Sequence, residues 1–244
     1  MRLTISGIRK RIQRAKLRFK RWILGAVLLL CLLPFALVAS VKFIDPPVWS
    51  WQIQRWIDTP DNYPEVTQHQ WVDLADISDN MQLAVIASED QLFPEHDGLD
   101  WDSIDKALAD RKAGKRTRGA STITQQTVKN LFLWPAKSYV RKGLEAGLAV
   151  IMDGMCDKQR ILELYLNIVE FGPGIYGVEA ASQHFFNRSA KQLTARQAAL
   201  LASVLPNPYR FNVSAPSEYM QKRVRWIMRQ MRQLGVGTVA GLQS

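Results

Sequence analysis

Cysteine and histidine are scarce in this sequence, and their scarcity argues against two kinds of site. Of the 244 residues only Cys31 and Cys156 are cysteine, and only His69, His96 and His184 are histidine. Cys31 lies inside a long apolar run, so Cys156 has no disulfide partner in the rest of the chain. The histidines have no ligand-like spacing with cysteines or carboxylates. The sequence therefore predicts neither a disulfide framework nor a structural zinc site.

Acidic residues are absent from residues 1–21, which carry nine of the 32 lysines and arginines. The formal charge of the whole chain is +10, a value often found in proteins that bind nucleic acid. Here the excess belongs to the short basic tail, and the remainder is nearly neutral. We therefore expect no nucleic-acid partner.

Residues 22–41 contain no charged side chain. Twenty helical residues span about 30 Å, the thickness of the apolar core of a bilayer. Pro34 is tolerated in a membrane helix, and Trp22 stands where an interfacial aromatic residue is expected. The basic tail predicts a cytoplasmic N-terminus and an exported remainder. The alternative is a signal peptide cleaved near Ala39.

Residues 42–74 are rich in tryptophan and proline and are interpreted as a membrane-proximal connector. Trp49, Trp51 and Trp56 lie either at the lipid headgroups or in a packed linker. Residues 75–244 form the main domain. Few alternating β-branched residues occur there, so the predicted fold class is mainly α.

Cap residues locate three helices of this domain. Ser78 or Asp79 caps the first helix, and Asp157 caps a later one. Thr194 and Gln197 have the spacing of a capping box. The helix after Asp157 is expected to bury a stripe formed by Ile161, Leu162, Tyr165 and Leu166.

Two polar segments follow one another in the middle of the chain. Residues 111–119 hold five lysines and arginines and no carboxylate; they form either a solvated mobile loop or a lid near an anionic ligand. Residues 119–130 are dense in uncharged hydrogen-bonding side chains, which are poor choices for a helix interior unless they bind something. A helix beginning at Ser121 would direct its free N–H groups at an anion. A polar face in contact with solvent explains the same composition.

Lys137, Arg141 and Glu145 are spaced so that they share one face of a helix. This pattern indicates either a surface ladder of salt bridges or a cationic stripe, extended by Lys129, that binds a diphosphate. In the second interpretation the cations accept the charge that develops on a diphosphate leaving group.

The segment from Ile86 to Gly98, IASEDQLFPEHDG, places Glu89 and Asp90 at the end of an apolar stretch. This segment, residues 119–129, Arg141 with Lys142 and Glu145, and the KQRILELYLN stretch of residues 158–167 form four blocks in a fixed order. Together they resemble the peptidoglycan glycosyltransferases of family 51, over residues 75–235. Small departures are Ala120 in place of a second glycine, Leu92, and the MCDK stretch before the fourth block.

The resemblance implies a lysozyme-like α-helical glycosyltransferase domain preceded by one transmembrane helix. Its implied activity is the polymerisation of lipid II into β-1,4-linked glycan strands, with inversion and release of undecaprenyl diphosphate. The implied location is the inner membrane, with the catalytic domain in the periplasm. The implied partners are lipid II, the growing strand, membrane lipids, and cell-division or elongation proteins.

The resemblance also implies roles for individual residues. Glu89 is the expected general base, and Glu145 orients the cations or a divalent ion, Mg²⁺ or Mn²⁺, at the diphosphate. No metal site formed by the protein alone is expected. The expected substrate-binding residues are Asp90, Phe93, His96, Ser121, Gln125, Gln126, Lys129, Lys137 and Arg141, with Asp90, Phe93 and His96 mainly supporting Glu89.

Two other interpretations remain open at this stage, and a third motif match is attributed to chance. A muramidase or lytic transglycosylase also relies on carboxylates, but an uncharged leaving group has no need of three cations. A non-catalytic membrane scaffold would tolerate replacement of Glu89 and Lys129. Ser103 and Lys106 match the S-x-x-K pattern of a transpeptidase, but no K-T-G accompanies them, and no transpeptidase activity is expected.

Overall fold

The computed structural model describes residues 5–61, 63–115, 119–136 and 138–242. Within these residues the chain is mainly helical, which confirms the predicted fold class. The helices are α1 (Ile5–Phe43), α2 (Ser50–Ile57), α3 (Asp79–Glu89), α4 (Trp101–Lys112), α5 (Ile123–Phe132), α6 (Tyr139–Met155), α7 (Lys158–Ile168), α8 (Val178–Phe186), α9 (Ala195–Val204), α10 (Glu218–Leu234) and α11 (Gly237–Gly241). Turns of 3₁₀ helix occur at Leu74–Asp76 and Ala190–Gln192.

The described residues form one small sheet, from strands β1 (Gln68–His69), β2 (Glu170–Gly172) and β3 (Ile175–Tyr176). Strand β3 lies in the middle, parallel to β1 and antiparallel to β2. Because β1 belongs to the connector, this pairing ties the connector to the main domain.

Helix α3 lies in the core. It is buried from Met81 to Ala87, as expected for a helix that is apolar on every side. It packs against α9 and α10, while α5 packs against α6 and α7. Glu89, the last residue of α3, therefore sits where the two helix groups meet.

The predicted caps are largely confirmed. Ser78 accepts a hydrogen bond from the backbone N–H of Met81, and Asp157 accepts one from Arg160. Thr194 and Gln197 form the capping box. The predicted stripe of α7 is fully buried: Ile161, Leu162, Tyr165 and Leu166.

The apolar helix is longer than the predicted span. Residues Lys16–Phe43 of α1 are long and apolar enough to cross a membrane. The C-terminal end of α1 is attached to the domain: the Arg160 guanidinium donates to the carbonyl of Val41 at 2.8 Å and pairs with Asp45 at 2.8 Å. Lys42 donates to the carbonyl of Met155. The C-terminal end of α1 therefore lies against α6 and α7.

The connector is a packed segment rather than a free linker. Trp49 is only 2% exposed and lies against the rings of His69 and Tyr176. Helix α2 packs on α5, and Trp51 faces the Lys129 ammonium. Trp56, by contrast, is 51% exposed.

Candidate active site

The Glu89 carboxylate lies at the end of α3 with three side chains directed at it. Gln126 of α5 donates to Oε2 at 3.2 Å, and Ser88 donates to Oε1 at 3.4 Å. Arg223 of α10 approaches Oε1 at 3.4 Å. Only 12% of the Glu89 side chain is exposed. Burial raises the pKa of Glu89, and the contacts with Gln126, Arg223 and Ser88 oppose that rise.

Asp90 connects the end of α3 to the start of α5. Its Oδ2 accepts the backbone N–H of Ile123 at 2.9 Å and lies 2.9 Å from Nε2 of His96. The backbone N–H of Gly98 donates to the other ring nitrogen of His96, at 3.1 Å. Nδ1 is therefore the acceptor, and the hydrogen on Nε2 points at Asp90. These bonds hold the two ends of the loop after Glu89 together.

The loop after Glu89 is closed by a glycine that no other residue replaces easily. Gly98 has φ +84°, and a Cβ there would lie 2.6 Å from the carbonyl oxygen of Ala149. Its own carbonyl accepts the hydroxyl of Thr122 at 2.7 Å. Gly98 thus joins this loop to both α5 and α6.

Phe93 and His96, which were expected mainly to support Glu89, and Gln125, which was expected to bind substrate, are all engaged by neighbouring groups of the protein. Phe93 is fully buried, with the Lys158 ammonium 4.9 Å from its ring centre. Gln125 is buried, and its side chain accepts from the backbone N–H of Thr122. His96 is occupied by Asp90 and Gly98. Direct contact of Phe93, Gln125 and His96 with a substrate is therefore a prediction that the structure does not favour.

The N-terminus of α5 also differs from the prediction. The helix begins at Ile123 with Thr122 as N-cap, not at Ser121. Thr122 and Gln125 form a capping box, and Asp90 takes the N–H of Ile123. These groups occupy the N–H donors of Thr122, Ile123 and Gln125, which leaves fewer free donors for an anion at this helix end.

Gln126 is positioned by the core. Its oxygen accepts the hydroxyl of Tyr165 on α7 at 3.1 Å, which leaves the amide nitrogen to donate to Glu89. The amide orientation is thereby determined by its two neighbours. Tyr165 itself is completely buried.

A cationic cluster surrounds Glu145 on α6. Arg141 pairs with its Oε2 at 2.6 Å, and Lys142 pairs with its Oε1. The Lys142 ammonium also donates to the hydroxyl of Ser121 at 3.0 Å. The carboxylate of Glu145 is only 3% exposed, whereas 46% of the Lys142 side chain is exposed. Lys142 is thus the member of this cluster that is accessible from solvent.

Lys129 stands near both carboxylates without pairing to either. Its ammonium lies 5.2 Å from the ring centre of Trp51. Burial lowers the pKa of Lys129, and the charges of Glu145 and Glu89 oppose that effect. Among the described residues Lys129 forms no salt bridge. Its charge is therefore available to a ligand.

Lys137, the remaining predicted cation, lies outside the described residues. Helix α6 begins at Tyr139 with Ser138 as its N-cap. Part of the basic segment 111–119 also lies outside the described residues.

The described side chains do not fit a metal ion held by the protein. No three His, Cys, Asp or Glu residues cluster among them in the way that a metal site requires. Both oxygens of Glu145, the carboxylate expected beside a divalent ion, are already engaged by cations.

An open cleft of about 500 Å³ lies beside Glu89. Its walls come from the end of α3, from α4, from residues 119–122 and from Trp226 of α10. Asp90 and Ser121 also line this cleft. A base at one end of a polar cleft, next to cations, is suited to deprotonating a hydroxyl near an anionic leaving group.

Two residues of the site were given no role by the sequence analysis, although Lys142 belongs to one of the four blocks. Lys142 precedes Glu145 by three positions, a helical spacing that would have identified it. Arg223 lies 134 residues beyond Glu89 in the sequence. The local sequence gives one indication of its role: Arg223 stands among Met220, Val224 and Ile227, which form the buried face of an amphipathic helix.

The sequence is similar to known proteins over most of its length. The Transglycosylase family model matches residues 57–232. A Shewanella amazonensis protein named biosynthetic peptidoglycan transglycosylase is 54% identical over 92% of this chain and 91% of its own length. Proteins of the same name from Vibrio parahaemolyticus and Pasteurella multocida are 54% and 49% identical, over 89% of this chain in each case and over 97% and 89% of their own lengths.

Proposed function

Because the chain belongs to the transglycosylase family, we propose that it polymerises lipid II into β-1,4-linked peptidoglycan glycan strands. The observation that carries this proposal is the placement of one buried carboxylate, Glu89, near a cluster of cations. Lys129, Arg141 and Lys142 supply the positive charge. The substrate class that fits is a sugar carried on a diphosphate.

In the proposed reaction Glu89 is the general base. It takes the proton from the 4-hydroxyl of the acceptor sugar as that oxygen attacks the anomeric carbon of the donor. The bond from that carbon to the diphosphate oxygen breaks, and undecaprenyl diphosphate leaves with the electron pair. One displacement inverts the α-linked donor to a β-1,4 product. A positioned base contributes about 10²–10⁴-fold to such a step.

The cations bind the diphosphate in this proposal. Lys129 and Lys142 are the groups that present charge to the site: Lys129 has no salt bridge among the described residues, and the Lys142 side chain is 46% exposed, whereas that of Arg141 is 14% exposed and also donates to the carbonyl of Ala136. Preorganised cations stabilise the charge that develops on the leaving oxygen. Glu145 acts by holding Arg141 and Lys142 in place, and Ser121 and Gln126 lie beside the reacting groups.

Helix α1 places the reaction at the membrane surface. An apolar cleft of about 540 Å³ lies where the end of α1 meets α2 and the end of α5. Its walls include Val41, Ile44, Ile53 and Phe132. Phe132 follows Lys129 by three residues on α5, so the two side chains share a face. A lipid tail in this cleft would put its diphosphate close to Lys129, which supports a lipid-linked substrate.

The same proposal extends to location and partners. The basic tail favours a cytoplasmic N-terminus, an anchor in the inner membrane and a periplasmic catalytic domain. Exposed apolar side chains, including Phe43, Ile44, Trp56 and Ile57, are suited to contact with membrane lipids. Wall synthesis takes place where new wall is inserted, so cell-division or elongation proteins are proposed partners, testable by co-purification of the full chain.

The glycan-cleaving alternative is disfavoured by the charge of the site. Cleavage of a glycosidic bond releases an uncharged sugar hydroxyl, which gains nothing from Lys129 and Lys142. A diphosphate leaving group carries negative charge that these ammonium groups neutralise.

The experiment that tests the function is polymerisation of labelled lipid II by the detergent-solubilised full chain. Wild type is compared with Glu89→Gln and with Glu95→Gln, an exposed glutamate of the same loop. We expect glycan strands from wild type and from Glu95→Gln, and almost none from Glu89→Gln. Polymer from Glu89→Gln at the wild-type rate removes Glu89 as the base. Loss of pre-formed glycan without polymerisation supports the cleaving enzyme instead.

A further inference from the structure

Glu89 is approached by a cation from a part of the chain that none of the four sequence blocks contains. Arg223 of α10 directs Nη2 at Oε1 of Glu89, 3.4 Å away. Its side chain is 22% exposed. The guanidinium stays charged at every pH at which the protein is folded.

The position of Arg223 is set by packing. Met220, Val224, Ile227 and Met231 of α10 are buried, and α10 packs against both α3 and α9. Gln91, two residues beyond Glu89, donates to the side chain of Gln230 on α10 at 3.1 Å. The helix that carries Arg223 is therefore joined to the chain segment that carries Glu89.

The other groups that face Glu89 do not replace this charge. Gln126 of α5 donates a neutral hydrogen bond, and the hydroxyl of Tyr165 on α7 is directed at Gln126. Ser88 donates from the same helix, while Asp90 is a neighbouring negative charge. Lys129 is within electrostatic range, but in the proposed reaction its charge serves the diphosphate.

The two carboxylates of the site, Glu145 and Glu89, differ in how closely cations approach them. Glu145 has a cation close to each oxygen, one of them at 2.6 Å. Glu89 has one salt bridge among the described residues, at 3.4 Å. A close pair of cations makes a carboxylate a poor base, whereas a more distant cation keeps a buried carboxylate charged and still able to accept a proton.

We propose that Arg223 is a positioning residue for the reaction: it keeps the Glu89 carboxylate ionised and directs Oε1, so that Oε2 is held by Gln126. This inference rests on the proposed role of Glu89 as base. Arg223 itself touches neither the transferred proton nor the diphosphate.

The first test is the pH dependence of kcat/KM for lipid II polymerisation. Arg223→Gln is compared with wild type, with Arg223→Lys, and with Arg225→Gln, an exposed arginine of the same helix. We expect Arg223→Gln to move the acidic limb upward by about one pH unit, because an opposite charge at this range lowers a carboxyl pKa by about that much. The activity lost at low pH then returns as the pH rises. Arg223→Lys retains part of the wild-type profile, and Arg225→Gln retains all of it.

A uniform loss of activity with an unmoved acidic limb overturns the proposal, because it indicates a purely structural role. Wild-type activity in Arg223→Gln overturns it as well. Thermal unfolding of each variant checks that the fold is intact.

A second test does not depend on catalysis. A double-mutant cycle in the thermal unfolding midpoint at about pH 8 combines Arg223→Gln with Glu89→Gln. We expect Arg223→Gln to lower the midpoint more in the chain that keeps Glu89 than in the Glu89→Gln variant, since only the first is left with a buried carboxylate that lacks its cation. Additive effects of the two substitutions on the midpoint overturn the proposal. The failure of the proposed polymerisation is a separate result, because it is seen when wild type makes no strands.

Discussion

The carboxylate of Asp90 accepts the backbone N–H of Ile123 at 2.9 Å, across 33 residues of sequence. The contact joins the residue after Glu89 to the first turn of α5, the helix that carries Gln126 and Lys129. A carboxylate at a helix N-terminus is also favoured by the helix dipole. The distance between the proposed base and the proposed diphosphate site thus depends on this bond.

Asp90→Asn is expected to weaken that connection. An amide oxygen in the place of Oδ2 keeps the contacts with Ile123 and His96, but the NH₂ group replaces Oδ1, which lies 3.1 Å from Nε2 of His96, and the negative charge at the N-terminus of α5 is lost. The loss of one satisfied buried hydrogen bond lowers the free energy of unfolding by about 1–3 kcal/mol. The measurement is thermal unfolding beside lipid II polymerisation, with the exposed Asp97→Asn as control. An unfolding midpoint equal to that of wild type would show that Asp90 does not hold the two segments together.

Gly98→Ala is expected to destabilise the domain more than Gly114→Ala does. Both glycines have positive φ, +84° and +68°, so both substitutions incur a conformational cost of about 1–2 kcal/mol. Only at position 98 does the added Cβ also collide with backbone, at 2.6 Å from the oxygen of Ala149. The difference between the unfolding midpoints of the two variants measures the steric clash at position 98, because the cost of the positive φ is common to both. Equal midpoints would contradict the close approach of this loop to α6.

Lys142→Met is expected to lower kcat/KM for lipid II by up to about 10²-fold, since removal of one preorganised charge from a transition-state site has effects of this order. The matched control is Lys222→Met, because Lys222 also pairs with a glutamate on its own helix, and both side chains of that pair are exposed. Thermal unfolding is measured beside activity, because Lys142→Met leaves the buried Glu145 carboxylate with Arg141 but without its second cation and should lower stability, whereas the pair of Lys222 lies at the surface. Equal activity of the two variants would remove Lys142 from the diphosphate site.

The alkaline limb of the activity profile is expected to depend on Lys129. Burial lowers the pKa of Lys129, so as the pH rises this ammonium loses its charge before an ordinary lysine does. Activity that needs the charge is full below the lowered pKa and falls as the pH passes through it. Lys129→Arg keeps its charge and should extend the alkaline limb to higher pH. Identical alkaline limbs, in a variant that remains active, would assign that limb to another group.

Local signals in the sequence predicted several elements of the fold correctly. Ser78, Asp157, Thr194 and Gln197 all cap the helices that they were expected to cap. These contacts join residues about three positions apart, so the sequence contains both partners within one turn. The apolar run of α1 was recognised for a similar reason, because composition alone determines whether a helix suits a membrane.

Within the site, residue type was easier to predict than residue role. Phe93 and Gln125 stand beside chemically important neighbours, yet one fills the core and the other caps α5. Whether a side chain faces the cleft or the core depends on the rotation of its helix against other helices. Helix α5 starts at Ile123, two residues after the predicted start at Ser121, and Thr122 is its cap.

The sequence by itself determined the helical composition of this protein and its apolar anchor. It also determined that Glu89 and several cations occur in ordered blocks. These properties follow from composition and from contacts within a few residues. Only the tertiary structure decided that Arg223 faces Glu89 and that the Asp90 carboxylate binds the N-terminus of α5. It also decided that the ammonium of Lys142 lies beside Ser121. Such contacts join residues tens of positions apart, and the packing of whole helices against one another brings them within reach.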